Sequence, residues 1–224
     1  MSENKIDSEE NEIKCKVVLI GKSGVGKTSI ISRYTSNTFK DSLMATPGAN
    51  FITKRVDFPQ DKKVIKFEIW DTAGQERYRS LAKVFYNNAA ACILVYDITN
   101  KESFNELVKH WAPELKENSP KDIILAVAGN KSDRYAESQV SEEEGKSFAK
   151  KMNAIYMRTS AKSNISIDEL FNNIGNKFLN PDLEITSNLT KEEMIQKNEQ
   201  DRRDKIRINK NNNNNNKNKK NVVK

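Results

Sequence analysis

The sequence predicts an α/β fold: a six-stranded, mostly parallel sheet with one antiparallel hairpin strand and five helices on its two faces. Three observations support this prediction. Short apolar runs rich in β-branched residues alternate with segments of helical periodicity. A glycine-rich loop joins the first apolar run to the first helix. Polar motifs follow several other runs, and they should meet because the carboxyl ends of parallel strands share one edge of a sheet.

The elements follow one another along a single domain. Strands are predicted over residues 13–20, 51–58, 63–70, 89–96, 123–128 and 154–158. Helices are predicted over residues 29–34, 77–88, 103–117, 141–152 and 166–179. Pro59-Gln60-Asp61-Lys62 joins the second and third strands as a hairpin. Pro113 should bend or distort the last turns of the third helix.

Composition divides the 224 residues into three parts. Residues 1–12 are predicted to be a disordered acidic arm, 13–180 the folded domain, and 181–224 a disordered, basic, Asn-rich tail. Residues 202–224 hold nine Lys or Arg and one Asp, a net charge of +8. The whole chain has a net charge of +7, so residues 1–201 together have a net charge of −1. This near-neutral folded part argues against nucleic acid as a partner.

Several protein classes are poorly supported by the sequence. No apolar run approaches the ~18 residues that cross a bilayer, and the N-terminus has no apolar core of a secretory signal. We therefore expect a cytoplasmic protein in which Cys15 and Cys92 are reduced core residues. The single histidine, His110, and two distant cysteines do not make a zinc site. A Ser-His-Asp hydrolase is poorly supported, because nothing in the sequence resembles a nucleophile-elbow motif.

The glycine-rich loop Gly21-Lys22-Ser23-Gly24-Val25-Gly26-Lys27-Thr28 matches G-x-x-x-x-G-K-[ST]. Backbone N–H groups of such a loop, at a helix N-terminus, surround phosphate. Lys27 would reach the β- and γ-phosphates, and the Thr28 hydroxyl would bind Mg²⁺. A chance glycine turn is the alternative, which the strand–loop–helix context disfavours. The candidate phosphate-binding residues are Gly21, Ser23, Gly24, Val25, Gly26, Lys27, Thr28 and Ser29.

Two further segments would complete a hydrolysis site. Thr46 lies in a segment without regular period and offers a second Mg²⁺ ligand that senses the γ-phosphate. Asp71, at the end of the third strand, is placed to hold Mg²⁺ through water. In the motif Asp71-Thr72-Ala73-Gly74-Gln75-Glu76, the Gly74 N–H can meet a γ-phosphate and Gln75 can orient a water. The metal candidates are Thr28, Thr46 and Asp71, and the catalytic candidates are Lys27, Thr46 and Gln75.

Two motifs would read a guanine base. In Asn130-Lys131-Ser132-Asp133, the Asp133 carboxylate can accept from the N1–H and the exocyclic amine of guanine, a pair that adenine lacks. Asn130 can tie loops together, and the Lys131 stem can cover the base face. In Ser160-Ala161-Lys162, the Ala161 N–H can donate to guanine O6. The alternative interpretation of the first motif is purely structural, a turn with a helix cap.

Taken in order, these motifs resemble those of the Ras-superfamily small GTPases, and within them the Rab family. The resemblance covers about residues 13–179 and extends to three Rab-like stretches: Lys66-Phe67-Glu68-Ile69-Trp70, Arg77-Tyr78-Arg79-Ser80-Leu81 and Leu94-Val95-Tyr96-Asp97-Ile98-Thr99. It implies the small G domain of P-loop NTPases, which binds GTP or GDP with Mg²⁺ and hydrolyses GTP slowly. It also implies that Phe39 packs edge-on against guanine.

The resemblance further implies a switch that regulates vesicle traffic through effectors in the GTP state. The effector surface would span residues 46–51 and 70–86, with the aromatic side chains of Phe51, Trp70 and Phe85. An exchange factor and a GTPase-activating protein would be the other partners. A scaffold that binds nucleotide with little GTPase cycling is the alternative.

Three departures from the family pattern bear on these expectations. Pro47 follows Thr46 where the family usually has Ile, which puts effector choice in question. Ser23 stands where many relatives have Gly, and we expect activity to be retained. The sequence ends in Lys220-Asn221-Val222-Val223-Lys224 without a cysteine, so no C-terminal prenyl anchor is expected. The basic tail would then give only weak, salt-sensitive contact with anionic endomembranes.

Overall fold

A computed structural model of the chain describes residues 12–42, 44, 46, 48–72 and 85–183. Its sheet has six strands in the order β2-β3-β1-β4-β5-β6. Only the β2–β3 pair is antiparallel, and the other neighbours are parallel. The strands are β1 (Glu12–Ile20), β2 (Ala49–Phe58), β3 (Lys63–Thr72), β4 (Ala91–Asp97), β5 (Ile124–Asn130) and β6 (Ile155–Arg158).

Five α-helices accompany the sheet in the described residues, and the predicted fold class is confirmed. They are α1 (Lys27–Ser36), α2 (Lys101–Glu106), α3 (Ala112–Asn118), α4 (Glu142–Lys151) and α5 (Ile167–Leu179). A 3₁₀ helix, Ser132–Glu137, follows β5. The helix predicted over residues 77–88 lies mostly outside the described residues, although Phe85 and Tyr86 are helical. Among the described residues, no helix is both long and apolar enough to cross a bilayer.

The sheet separates two apolar layers. On one face α1 and α5 pack through side chains such as Ile30, Tyr34 and Phe171. On the other face α2, α3 and α4 pack through side chains such as Phe104, Leu115 and Phe148. Strand β4 is buried along its whole length, as expected for a central strand covered on both sides.

The helix predicted over residues 103–117 is split by a π-helical turn, Leu107–Trp111, between α2 and α3. Here the Ala112 N–H donates to the Leu107 carbonyl, five residues back. Pro113 follows at once and has no N–H for the preceding turn, which favours a wider turn at this point. The predicted distortion is therefore real, but it lies before Pro113 rather than in the turns after it.

Strands β3 and β5 run two residues further at their carboxyl ends than the sequence predicted, and both extensions reach the candidate site. Strand β3 continues through Asp71, which pairs with Leu19 on β1 and Asn50 on β2. Strand β5 continues to Asn130, which pairs with Asp97 on β4. Their backbones are therefore held by sheet hydrogen bonds, so both side chains start from a fixed position at the carboxyl edge.

Candidate functional site

A cavity of about 740 Å³ opens at the carboxyl edge of the sheet. This volume suits a ligand of nucleotide size. The glycine-rich loop and the start of α1 form one end, and the segments after β5 and β6 form the other. The lining residues are Ser23, Gly24, Gly26, Lys27, Thr28, Ser29, Phe39, Lys40, Asp41, Met44, Thr46, Asn130, Lys131, Asp133, Arg134, Ala161 and Lys162.

Two glycines of the loop allow approaches that no other residue would. Gly21 has φ +139°, and an added Cβ would lie 2.1 Å from the Val95 carbonyl oxygen on β4. Gly26 has φ +98°, and its Cβ would lie 2.4 Å from Nδ2 of Asn130. The loop is thus pressed against β4 on one side and against the end of β5 on the other, in backbone conformations that favour glycine.

The Lys27 side chain is buried beneath this loop, 6% exposed. Its Nζ donates to the carbonyl oxygens of Gly21 at 2.8 Å and Lys22 at 3.2 Å. Burial lowers the pKa of the Lys27 ammonium to about 8, and the nearby Asp71 carboxylate partly offsets this. An ammonium group held in this way is positioned to bind an anionic ligand above the loop.

Oxygen atoms of Thr28, Thr46 and Asp71 come together beside Lys27. Thr28 Oγ1 donates to Asp71 Oδ2 at 2.7 Å, and Thr46 Oγ1 lies 2.9 Å from Thr28 Oγ1 and 3.3 Å from Asp71 Oδ2. Burial raises the pKa of the Asp71 carboxyl, opposed by these hydrogen bonds and by Lys27. Thus two hydroxyls and a carboxylate from three separate segments lie within hydrogen-bond distance of one another.

This oxygen cluster fits a magnesium ion. The second carboxylate oxygen, Asp71 Oδ1, is buried without a hydrogen-bond partner in the described part of the chain. A buried carboxylate oxygen left in this state favours a cation or a water. Hydroxyl and carboxylate oxygens are ligands that Mg²⁺ takes, usually together with substrate phosphates and water. No group of three or more His, Cys, Asp or Glu in the described ranges is placed to hold a metal ion.

At the other end of the cavity the polar groups are bonded to one another. Asn130 Nδ2 donates to the Val25 carbonyl at 2.8 Å, which ties the two ends together as the sequence predicted. Its Oδ1 accepts from Thr159 Oγ1 at 3.3 Å and from the Ala161 N–H at 3.4 Å. Ser160 Oγ donates to Asp133 Oδ1 at 2.5 Å. This last bond orients a carboxylate that lines the cavity.

The comparisons with known proteins agree with this architecture. A model of the Ras family matches residues 16–180. Human Ras-related protein Rab-22A is 44% identical over 172 residues, covering 77% of this chain and 87% of the relative. Mouse Ras-related protein Rab-31 is 46% identical over 159 residues, covering 71% and 80%. Ras-related protein RabJ of Dictyostelium discoideum is 43% identical over 167 residues, covering 75% and 64%.

The chain belongs to the Rab family of small GTPases. It is therefore a GTP hydrolase and a GTP-binding switch in vesicle traffic. Membership implies binding of GTP and GDP, typically with Mg²⁺. Rab proteins generally interact with effectors, exchange factors and GTPase-activating proteins, and Rab homologues act on endomembranes.

Most of the predicted site residues of this Rab protein are placed around the cavity. Gly21, Val25, Asp71 and Ser160 lie just behind its lining, where they hold the lining residues. Phe39 is half-buried and packs against the core on the side of α1. Gly74, Gln75 and Pro47 lie outside the described residues.

Two residues that support the base end of the cavity are not among the predicted site residues. Asp97, at the end of β4, is buried and its Oδ2 lies 2.8 Å from Lys131 Nζ. A carboxylate at the carboxyl end of a buried strand is the same signal that identified Asp71, so it could have been found. Arg33 on α1 donates to the Ala161 carbonyl at 2.8 Å. Nothing in the sequence pattern marks this contact, because the two residues are 128 positions apart.

Three aromatic side chains form a row on the surface of this Rab protein. The ring centroids of Phe51 and Trp70 lie 5.1 Å apart, and those of Trp70 and Phe85 lie 5.6 Å apart. The Phe51 side chain is 46% exposed. Lys16 lies over the Trp70 ring at 5.4 Å and donates to the Asn87 carbonyl at 2.6 Å. The predicted aromatic cluster is therefore contiguous and reaches solvent.

Proposed function

We propose that this Rab protein cycles between GDP-bound and GTP-bound states and that Thr46 couples the bound nucleotide to the conformation of its segment. The supporting observation is the hydrogen bonding of Thr46 to Thr28 and Asp71. Thr46 precedes β2 and lines the cavity, whereas Thr28 is in the first turn of α1 and Asp71 is in β3. A ligand that binds at these oxygens would hold the segment, and loss of the γ-phosphate would release it.

The phosphates would lie over the loop of residues 21–29, with their β- and γ-oxygens at the Lys27 ammonium. Thr28, Thr46 and Asp71 would hold Mg²⁺, Asp71 through water. The ion would neutralise charge on the β- and γ-phosphates. The glycines let the backbone approach the phosphates closely, and the start of α1 adds the positive end of its dipole.

Guanine would lie at the other end, read by Asp133 and by the Ala161 N–H. Adenine presents neither the N1–H nor the exocyclic amine to Asp133, so the carboxylate would be left unpaired against it. The Lys131 stem would cover one face of the base, and Phe39 would pack edge-on. Ser160 and Asn130 support these contacts, because each holds a reading group through a hydrogen bond.

Hydrolysis would be slow without a partner. Gln75 would orient the attacking water, and Lys27 and Thr46 would complete the catalytic groups. Among the described residues at the phosphate end, Lys27 is the cationic side chain that lines the cavity. A GTPase-activating protein that adds positive charge there would raise the rate roughly 10³–10⁵-fold. An exchange factor would be needed to empty the site.

Effectors would bind the surface of residues 46–51 and 70–86, where the row of Phe51, Trp70 and Phe85 offers contiguous aromatic area. Aromatic side chains of this kind are typical anchors of protein interfaces. Around the G domain of residues 13–180, we propose an acidic arm, 1–12, and a basic tail, 181–224. The tail would contact anionic endomembranes weakly through its basic side chains.

Single-turnover hydrolysis of bound GTP tests this proposal. The wild-type chain should hydrolyse GTP slowly with Mg²⁺ and much more slowly after chelation. Gln75→Leu should bind GTP equally well and lose hydrolysis. Tryptophan fluorescence of Trp70 should differ between the GDP state and a non-hydrolysable GTP state. Tight GTP binding without hydrolysis or a fluorescence change would instead indicate a nucleotide-bound scaffold.

A further inference from the structure

The Arg33 side chain connects three segments at the base end of the cavity. Its Nε donates to the Ala161 carbonyl at 2.8 Å, and its Nη2 donates to the Lys162 carbonyl at 3.2 Å. Its Nη1 donates to the carbonyl and side-chain oxygens of Asn37 at 3.0 and 2.9 Å. One guanidinium therefore joins the end of α1, the start of the following loop, and the turn after β6.

That turn is closed at its base by backbone hydrogen bonds. The Ser160 N–H donates to the Ile165 carbonyl at 3.1 Å, and the Ile165 N–H donates back at 3.0 Å. Arg33 holds the two carbonyls near its tip. The Ala161 N–H belongs to the Ser160–Ala161 peptide, which lies between the bridge at Ser160 and the Ala161 carbonyl that Arg33 holds. The backbone is therefore held on both sides of this N–H, which is how backbone donors become preorganised.

A second contact crosses the cavity mouth beside Arg33. Lys162 Nζ lies 3.3 Å from Asp41 Oδ1, and both side chains are largely exposed. Such a pair contributes little by itself. It nevertheless runs between the same two segments as Arg33, with Phe39 on the segment between Asn37 and Asp41. The turn after β6 and the segment after α1 are therefore linked twice.

We propose that Arg33 is a positioning residue for base recognition: it holds the Ala161–Lys162 backbone so that the Ala161 N–H faces the guanine C6 oxygen. This inference rests on the proposed function, in which guanine occupies this end of the cavity. In the structure the Ala161 N–H points to Asn130 Oδ1 over 3.4 Å, a long contact that a closer acceptor replaces easily. Arg33 selects the base without touching it.

The geometry requires arginine rather than any cation. Four donations leave in different directions from one planar group, and a lysine ammonium on a flexible stem does not reproduce this fork. Arg33→Lys keeps the charge and suits a helix, and Arg33→Met removes the donors while keeping length. Both variants should release GDP faster, with affinity lowered about tenfold for Arg33→Met, as for the loss of about 1.4 kcal/mol.

Base analogues separate positioning from general stability. Affinity should be measured for GDP, for 2,6-diaminopurine riboside diphosphate, which has an amine in place of the C6 oxygen and lacks the N1–H, and for inosine diphosphate, which lacks the amine at C2. The loss of the N1–H acts through Asp133 and is the same in wild type and variant, so a change in the preference reports on the C6 contact. In Arg33→Met the preference for GDP over the diaminopurine nucleotide should fall about tenfold, because the C6 donor is misplaced. The preference over inosine diphosphate depends on Asp133 and should be unchanged.

Two controls complete the experiment. Arg55→Met removes an exposed arginine on β2 that pairs with Glu12, far from the turn, and should leave all three affinities unchanged. Asp41→Asn cuts only the second link, between exposed side chains, and should change the C6 preference much less than Arg33→Met does. If Arg33→Met weakens GDP and the diaminopurine nucleotide by the same factor, Arg33 is only structural and the proposal is wrong.

Failure of the underlying function has a different signature. If the wild-type chain itself does not prefer GDP over the two analogues, guanine does not occupy this end of the cavity. If Arg33→Met does not fold, as judged by its thermal melting, Arg33→Lys decides the matter. A folded Arg33→Lys protein that keeps the full wild-type C6 preference overturns the role of the arginine fork.

Discussion

The groups assigned to the phosphates and Mg²⁺ include a buried carboxylate oxygen without a hydrogen-bond partner, whereas the side chains assigned to the base are bonded to other parts of the protein. Of the base-reading motif, only the buried Ser132 hydroxyl has no partner in the described part of the chain. At the phosphate end, Asp71 Oδ1 is buried without a hydrogen-bond partner among the described residues, and Lys27 is held only by loop carbonyls. At the base end, Ser160 holds Asp133 and Asp97 holds Lys131.

This difference in satisfaction implies a difference in behaviour. A network whose donors and acceptors are already paired is rigid before the ligand arrives, and a rigid polar site discriminates between similar ligands. A site with unsatisfied buried groups gains the most stabilising free energy when ligand and ion bind, because these groups then find partners. Its surroundings, including Thr46, then have two states that differ in free energy. The base end should therefore select the nucleotide, and the phosphate end should respond to it.

The largest effect should come from breaking the base end at Asp133. In Asp133→Asn the side-chain amide no longer accepts both guanine donors, and its NH₂ group can donate to a carbonyl at C2, which xanthine carries. We expect the preference for GDP over xanthosine diphosphate to fall about 10⁴-fold or to reverse. Competition binding with the two nucleotides measures this. An unchanged preference would mean that Asp133 does not read the base.

A smaller effect of another kind is expected at the phosphate end. Asp71→Asn keeps the size of the side chain but removes the charge that we assign to Mg²⁺. The affinity for GTP in the presence of Mg²⁺ should fall about 100-fold, and chelation should then have little further effect. Base preference should be unaffected, since Asp71 is at the other end. Titration with Mg²⁺ at fixed nucleotide measures the loss, and a variant as Mg²⁺-dependent as wild type would contradict it.

The two ends meet at Gly26, so a side chain there should damage both. In Gly26→Ala the new Cβ would lie 2.4 Å from Asn130 Nδ2, and the bond from Asn130 to Val25 would be pushed apart. Gly24→Ala is the matched control: Gly24 also has positive φ, +80°, but nothing lies within 4 Å of its Cβ position. Each substitution costs about 1–3 kcal/mol of backbone strain.

Nucleotide affinity should therefore fall about tenfold further in Gly26→Ala than in Gly24→Ala. Binding of GDP to both variants, together with thermal melting of each, separates the strain that they share from the clash that only one has. Equal losses would show that the contact between Asn130 and the phosphate loop does not connect the two ends.

The phosphate loop and the succession of strands and helices along the chain could be predicted because both depend on local patterns. Glycines at fixed spacing and apolar runs of strand length are visible within a few residues. The ends of β3 and β5 were placed too early, because Asp71 and Asn130 are polar and propensity disfavours them in strands. The Asp71 backbone is nevertheless paired with strands on both sides, and the Asn130 backbone with a strand on one side. This pairing is a tertiary effect.

The supports of the base end were harder to predict for the same reason. Asp133 and Asn130 belong to a short motif, but Asp97 and Arg33 act on it from distant parts of the chain. The bond between Arg33 and Ala161 joins α1 to the turn after β6, and no periodicity connects them. The sequence therefore indicated which residues line the cavity better than it indicated which residues hold them in place.

The smallest expected effect concerns how the phosphate loop is held from outside the cavity. Lys22 Nζ lies 2.8 Å from Glu102 Oε2 and 3.0 Å from Glu106 Oε1 on α2, and both carboxylates raise the pKa of Lys22. The Lys22 carbonyl also accepts from Lys27. The pair of contacts can act on nucleotide release in two opposite ways, by fixing the loop or by neutralising a cation near the phosphates.

The double variant Glu102→Gln, Glu106→Gln distinguishes these two ways. If the contacts fix the loop, GDP should dissociate about two- to fivefold faster, the range expected for exposed ion pairs. If they only neutralise Lys22, the freed cation should slow dissociation, and the slowing should vanish at high salt. Glu142→Gln, which cuts the 2.8 Å pair with Lys146 on α4, is the control and should change nothing. We expect the faster release, because the Lys22 carbonyl accepts from Lys27, so that movement of Lys22 also disturbs the buried Lys27 ammonium.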